Sequence, residues 1–196
     1  KKKLNLFEKK SKNFSKILNH IKIILKLCEI LKCKKIIMGS TEFRNKKNIT
    51  REIADEIFCN FLKKISPILK KKKITLCIET IPKEYNEKYL YNFEHLVRLI
   101  KTINCSWIGI NFDTSLFHYK KIDLVQFKKN INLIKNIQIT EKKFNYFINP
   151  SKRNIVFCNT IKKIKKIKEV SLEIIVNKTN LKKLDRSMNN LMNLLN

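Results

Sequence analysis

Short apolar runs recur along this chain at intervals of roughly 30 residues, the length of one βα unit. They fall at Lys34–Met38, Ile74–Ile78, Trp107–Phe112, Ile137–Ile139 and Val170–Val176. A continuous apolar run, without polar alternation, is what a strand buried on both faces needs, and such strands belong to parallel sheets. Between the runs the periodicity changes to steps of three and four, the spacing of one helical face. Ile17, Ile21, Ile24, Cys28 and Leu31 form the first such stripe, within Phe14–Leu31. Thr50 is placed to cap a second helix with Ile53, Ile57, Phe61 and Ile65 on its buried face, closed by Pro67 and the Lys70–Lys73 run. Phe93, Leu96, Val97 and Ile100 give a third stripe, and Asp123 caps a helix through Phe127, Ile131 and Ile134. Lys142–Asn154 reads as polar and irregular, Ile155–Ile167 as a basic helix, and Leu181, Leu184, Met188, Leu191 and Leu195 as a closing helix. The expectation is a parallel α/β architecture in which each strand is bounded by a helix.

A chain of 196 residues buries a single sizeable core, so one domain over residues 1–196 is expected. The formal charge of +28 ordinarily points toward nucleic acid or an anionic membrane. Here the excess is nearly all Lys, spread along the chain and accompanied by surplus Ile and Asn. Those residue types share A- and T-rich codons, so we read the charge as genome composition and expect no nucleic-acid partner. The six cysteines show no paired spacing and mostly sit in apolar runs, as reduced core residues of a cytoplasmic protein do. The Lys1-Lys2-Lys3-Leu4 start lacks a signal peptide's apolar stretch, and no run of about 18 apolar residues offers a membrane span.

Polar groups sit where the apolar runs end. Glu79, Asp113, Gln138 with Glu141, and Glu173 all fall at or near carboxyl ends of expected strands, which is where parallel α/β folds collect their reactive groups. Carboxylates held together repel one another, so a site that gathers them contains a cation or shared protons. Of the three His, His20 lies off its helical stripe and reads as solvated, His95 as structural, and His118 as a solvated loop residue.

The order of these pieces resembles the xylose isomerase-like TIM-barrel superfamily, in its sugar-phosphate isomerase/epimerase branch. The matching segments are Leu4-Asn-Leu-Phe7, Met38-Gly-Ser-Thr-Glu-Phe-Arg-Asn45, Leu76-Cys-Ile-Glu-Thr-Ile-Pro-Lys-Glu-Tyr85, Ile108-Gly-Ile-Asn-Phe-Asp-Thr114, Asn136-Ile-Gln-Ile-Thr-Glu141 and Val170-Ser-Leu-Glu173. The resemblance implies a divalent metal held by Glu79, Asp113, Gln138 and Glu173. It makes Glu79 and Glu173 the facing catalytic carboxylates and places Arg44, Tyr85 and Glu141 against a small sugar or sugar-phosphate substrate. The implied reaction is proton transfer beside a carbonyl through an enediolate, one glutamate removing the proton and the other returning it.

Two features set this chain apart from the family pattern. Gln138 stands where His is usual, and an amide oxygen is a harder ligand than an imidazole, which moves the expected metal toward Mn or Mg rather than Zn. About five βα units are present where a complete barrel has eight, so an incomplete barrel is expected: a fragment of a longer chain, a homo-oligomer that completes itself, or a remnant. The missing Met at Lys1 favours the fragment. Two other functions follow from the same residues, a catalytically impaired barrel acting as an interaction module and, supported only by charge, an abasic-site endonuclease.

Overall fold

The computed structural model describes residues 4–8, 11–119, 122–167, 169–175 and 180–196. Five strands, β1 (Lys35–Met38), β2 (Thr75–Glu79), β3 (Ile108–Asp113), β4 (Ile134–Thr140) and β5 (Ser171–Glu173), follow one another in chain order in a parallel sheet. Helices separate them, as the alternating periodicity requires: α1 (Ser11–Ile30), α2 (Arg51–Lys72), α3 (Phe93–Ile103), α4 (Ser115–His118), α5 (Leu124–Lys129), α6 (Lys152–Ile161) and α7 (Leu181–Leu195). Five parallel βα units of the eight in a complete barrel are therefore present. The residues cluster into two compact units, the first of residues 1–111 with 132–135 and the second of residues 112–131 with 136–196.

In the first unit the core lies between β1, β2 and the start of β3 and the inward faces of α1, α2 and α3. Ile17, Ile21, Leu25 and Cys28 are buried on α1, whereas Leu31, expected on this stripe, lies past the helix end and is exposed. On α2 the buried face is Ala54, Phe58, Phe61, Leu62, Ile65 and Leu69, rotated from the expected one so that Ile53 is exposed. Thr50 caps this helix as its sequence position suggests. Pro67 does not end it. Proline cannot donate to the Lys63 carbonyl one turn back, but the Ser66 hydroxyl does so instead at 3.0 Å, and the helix continues to Lys72.

Both glycines in the chain sit where a strand must accept close approach. A Cβ on Gly109 would meet the Leu133 carbonyl oxygen at 2.8 Å, and one on Gly39 would lie 2.3 Å from Glu79 Oε2. With glycine so scarce, left-handed helix ends fall to other residues: Lys73 (φ 53°) caps α2 and Asn104 (φ 47°) caps α3.

In the second unit Phe112, Phe117, Phe127 and Phe157 interlock with ring centroids 4.8–5.5 Å apart. Each such pair adds roughly 0.5–1.5 kcal/mol beyond its burial. This cluster fixes the end of β3 against α4, α5 and α6. Three expected boundaries change here. The Asp123 cap is present with Gln126 completing a capping box, but α5 stops at Lys129, and Ile134 opens β4, where it, Ile137 and Ile139 are buried as strand residues. The helix expected from Ile155 starts earlier, at Lys152 behind a Ser151 cap, and ends at Ile161. On α7 the buried residues are Ser187 and Leu191, while Leu181 and Met188 of the expected stripe are exposed. The last strand is three residues, Ser171–Glu173; Val176, expected at its end, lies outside the described residues, as do Lys1–Lys3.

Among the described residues, no helix is long and apolar enough to cross a membrane.

Candidate functional site

The second unit brings two of the expected acids together. Asp113 closes β3 with its side chain 1% exposed. Its Oδ1 accepts the Ser115 backbone N–H at 2.6 Å, as the chain turns into α4, and its Oδ2 accepts the Thr140 hydroxyl at 3.0 Å. Thr140 closes β4 and is registered opposite Glu173 on β5. In parallel strands such partners point to the same face, and Thr140 Oγ1 accordingly lies 3.3 Å from Glu173 Oε2.

One hydroxyl carries one proton, so Thr140 cannot serve both carboxylates as donor at once. The remaining proton comes from the solvent. Burial pushes the Glu173 carboxyl up to about 7, and its hydrogen bond to Asp113 and that residue's negative charge push in the same direction; the Thr140 hydrogen bond opposes them. At neutral pH the two acids thus share a proton a good part of the time. Oxygen donors that need a shared proton to lie side by side are also the donor set that a hard divalent cation takes, replacing the proton.

Backbone latches hold this arrangement. The Thr114 N–H donates to the Gln138 carbonyl at 3.0 Å. The Thr114 hydroxyl accepts the Thr140 N–H at 2.9 Å and donates to the Thr140 carbonyl at 3.1 Å. Gln138 is half-buried and alternates with Thr140 along β4, so both side chains leave the same face of the strand.

Glu141 is committed to the frame. Its Oε1 accepts both the Ser151 N–H and the Asn154 amide at 2.8 Å, which ties the end of β4 to the start of α6. His118 is not the solvated loop residue expected: it ends α4, its side chain is 9% exposed, and its Nε2 lies 3.1 Å from the Thr140 carbonyl and 4.0 Å from Glu141 Oε2. A carbonyl only accepts, so Nε2 carries the proton there.

In the first unit Glu79 ends β2, half-buried, with its carboxylate against the bare Cα of Gly39. Tyr85 lies half-buried in the 3-10 turn Lys83–Tyr85. Arg44 departs from the expectation that it faces substrate. Its side chain is wholly buried, its Nε and Nη2 each 2.8 Å from Glu87 Oε2, and its Nη1 donates to the Met38 carbonyl at 3.2 Å. Glu87 in turn accepts the Tyr89 and Leu90 N–H groups. A desolvated ion pair of this kind holds two loops in register, and breaking it from one side leaves an uncompensated buried charge. His95, expected to be structural, is buried and hydrogen-bonded through Nε2 to Asp55 at 2.8 Å, with burial pushing its pKa down.

Sequence reasoning did not single out Thr140, Thr114, Asn154 or Glu87. The first two form the hydroxyl bridge and its latch, and nothing in a lone Thr marks it for either role. Glu87 carries no local signal either, since the buried Arg44 that demands an acid nearby is known only from the folded chain.

The model of the xylose isomerase-like TIM-barrel family matches residues 4–155. A sequence search of curated proteins finds no significant match. Among solved structures, the chain is similar to the 3-keto-D-glucoside 4-epimerase of E. coli, with a TM-score of 0.76 at 11% identity, covering 96% of this chain and 75% of the epimerase. D-psicose 3-epimerase from Clostridium cellulolyticum H10, crystallised with D-tagatose, gives a TM-score of 0.77 at 11% identity over 98% and 74% of the two chains. The IolI protein, crystallised with a bound zinc atom, gives 0.75 at 16% identity over 97% and 73%. At such identities the likeness is one of fold.

Proposed function

Because the chain belongs to the xylose isomerase-like TIM-barrel family, we propose that it is a divalent-metal-dependent isomerase or epimerase of a small sugar or sugar phosphate, acting in the cytoplasm. The observation that carries this reading is the Asp113–Thr140–Glu173 cluster: two acids held at strand ends, one of them raised to about 7. Fold likeness to sugar epimerases supports it.

Asp113 and Glu173 would hold the metal together with Glu79 and with the amide oxygen of Gln138. Support for Glu79 comes from strand register. Glu79 is the partner of Asn111 across β2 and β3, and Asp113, two residues further on, shares the face of Asn111. The donors are all oxygen, which suits Mg or Mn ahead of Zn. When bound, the metal supplies positive charge that stabilises an enediolate.

The protein's own groups do the remaining work. In this reading Glu173 acts as the general base. It takes the proton beside the carbonyl, and Glu79 returns one to the other face. Thr140 steadies the Glu173 carboxylate by donating to it once the proton has left. Ser115 keeps Asp113 oriented, and Glu141 holds α6 in place rather than touching substrate. Tyr85 lines the substrate mouth. Arg44 does not, since its side chain is wholly buried against Glu87 and the Met38 carbonyl.

Solvent deuterium exchange tests the reading. With Mn present, wild-type protein in heavy water should introduce deuterium beside the carbonyl of at least one member of a panel of ketoses and ketose phosphates, read by NMR, and Glu173→Gln should abolish it. The assignment fails if Glu79→Gln and Glu173→Gln bind Mn as tightly as wild type.

A further inference from the structure

An open groove in the second unit shares no lining residue with the acid cluster. It runs between α5 and α6 with a volume of about 870 Å³. Phe117 and Ile122 are buried at its base, while Val125 and Val156 on its walls are 72% and 52% exposed. A smaller hollow of about 380 Å³ shares Val156 and extends to Ile164. The rims are cationic: Lys152 and Arg153 on the first hollow, Lys128 and Lys163 on the second, all exposed residues, with Arg153 Nη1 donating to the Phe117 carbonyl. Among the described lining residues the sole acid is Asp123, and it is occupied as the cap of α5, accepting the Gln126 N–H at 2.8 Å.

We propose that this groove docks an acidic amphipathic helix of a partner protein. Apolar walls on two facing helices take the i, i+3, i+4 and i+7 side chains of a bound helix, and four rim cations select acids on its outer face. Charge complementarity rules on the alternatives. A second copy of this chain brings 44 basic residues against 16 acidic ones, so it repels. Nucleic acid matches the rim but not the walls, which offer aliphatic side chains instead of the exposed aromatic faces on which bases stack. A bilayer surface is flat on this scale and cannot reach the base of a concave groove.

The test uses fluorescein-labelled model peptides of about 16 residues, long enough for four helical turns. One carries Leu on a single helical stripe with Glu elsewhere, the second is a scramble of it, and the third replaces Glu by Lys. Fluorescence polarisation on the full chain should show the Leu/Glu helix binding at least about tenfold tighter than the scramble, weakening with salt, and the Lys version not binding. Val156→Glu should remove this preference, and Lys152→Glu with Arg153→Glu should weaken binding about tenfold or more. Both substitutions fall on exposed positions, and thermal melting confirms that the fold is kept. Equal binding of helix and scramble would overturn the proposal, as would indifference to Val156→Glu. So would a Val156→Glu effect confined to phosphatidylserine vesicles or to an oligothymidine, which would reassign the groove to a membrane or to nucleic acid.

Discussion

The raised Glu173 carboxyl ties metal binding, stability and pH together in a way that can be measured without knowing the substrate. A carboxyl that rises from 4.5 in the unfolded chain to about 7 in the folded one favours the folded state when protonated. Its contribution is fully present below the unfolded value and is lost as pH rises from about 4.5 through about 7. Full conversion of the rise gives about 3.4 kcal/mol. Glu173 is only half-buried, so solvent screening reduces this to about 1–2 kcal/mol. Metal-free wild-type protein should therefore lose about that much stability relative to Glu173→Gln between about pH 5 and pH 8, measured as the difference of two denaturant curves at each pH. A divalent cation must displace the same proton. Its affinity should rise close to tenfold per pH unit below about 7 and level off above, leaving binding at about pH 5.5 roughly 30-fold weaker than at about pH 8. Isothermal titration with Mn at several pH values checks the slope. An affinity that is flat from about pH 5.5 to pH 8, or a Glu173→Gln variant with wild-type pH dependence of stability, refutes the shared-proton argument.

Other consequences are more local. Gly39→Ala puts a methyl group against the Glu79 carboxylate, a flexible end that can swing away; stability should change by under about 1 kcal/mol while Mn affinity falls, seen in the same titration. Gly109→Ala meets the Leu133 backbone carbonyl, which cannot, and should destabilise by about 1–3 kcal/mol in urea. Lys73→Gly relieves a left-handed cap (φ 53°) and should stabilise by about 0.5–1 kcal/mol, read as a higher Tm. Thr140→Val removes the hydrogen bond that lowers the Glu173 pKa, so the pH range over which the metal-free protein loses stability should move upward in denaturant curves. Phe157→Ala empties the centre of the aromatic cluster on which Phe112, Phe117 and Phe127 all pack and should cost about 3–5 kcal/mol.

Strand positions were legible because buried parallel strands leave continuous apolar runs, and Asp113 stands out as an acid where one of those runs ends. Helix ends were readable where a capping chemistry is local, as at Thr50 and Asp123. Helix continuation past Pro67 was not, because it depends on the Ser66 hydroxyl taking over the Lys63 carbonyl. The fate of Ile134 was equally closed to inspection, since an apolar residue at that position fits a helix stripe or a strand, and the Ile110 N–H reaching the Leu133 carbonyl decides for the strand.

By itself, the sequence determined the alternation of strand and helix, the parallel architecture and the presence of acids near the carboxyl ends of strands. These follow from periodicity and from acids at the ends of apolar runs, which are properties of neighbours along the chain. Only the tertiary structure decided which polar groups act together. Arg44 pairs with Glu87, Glu141 accepts from Asn154, and Thr140, unmarked in the sequence, bridges two acids. Each of those outcomes rests on a hydrogen bond between residues far apart in sequence, and burial, which sets the Glu173 pKa, exists only once the chain has folded.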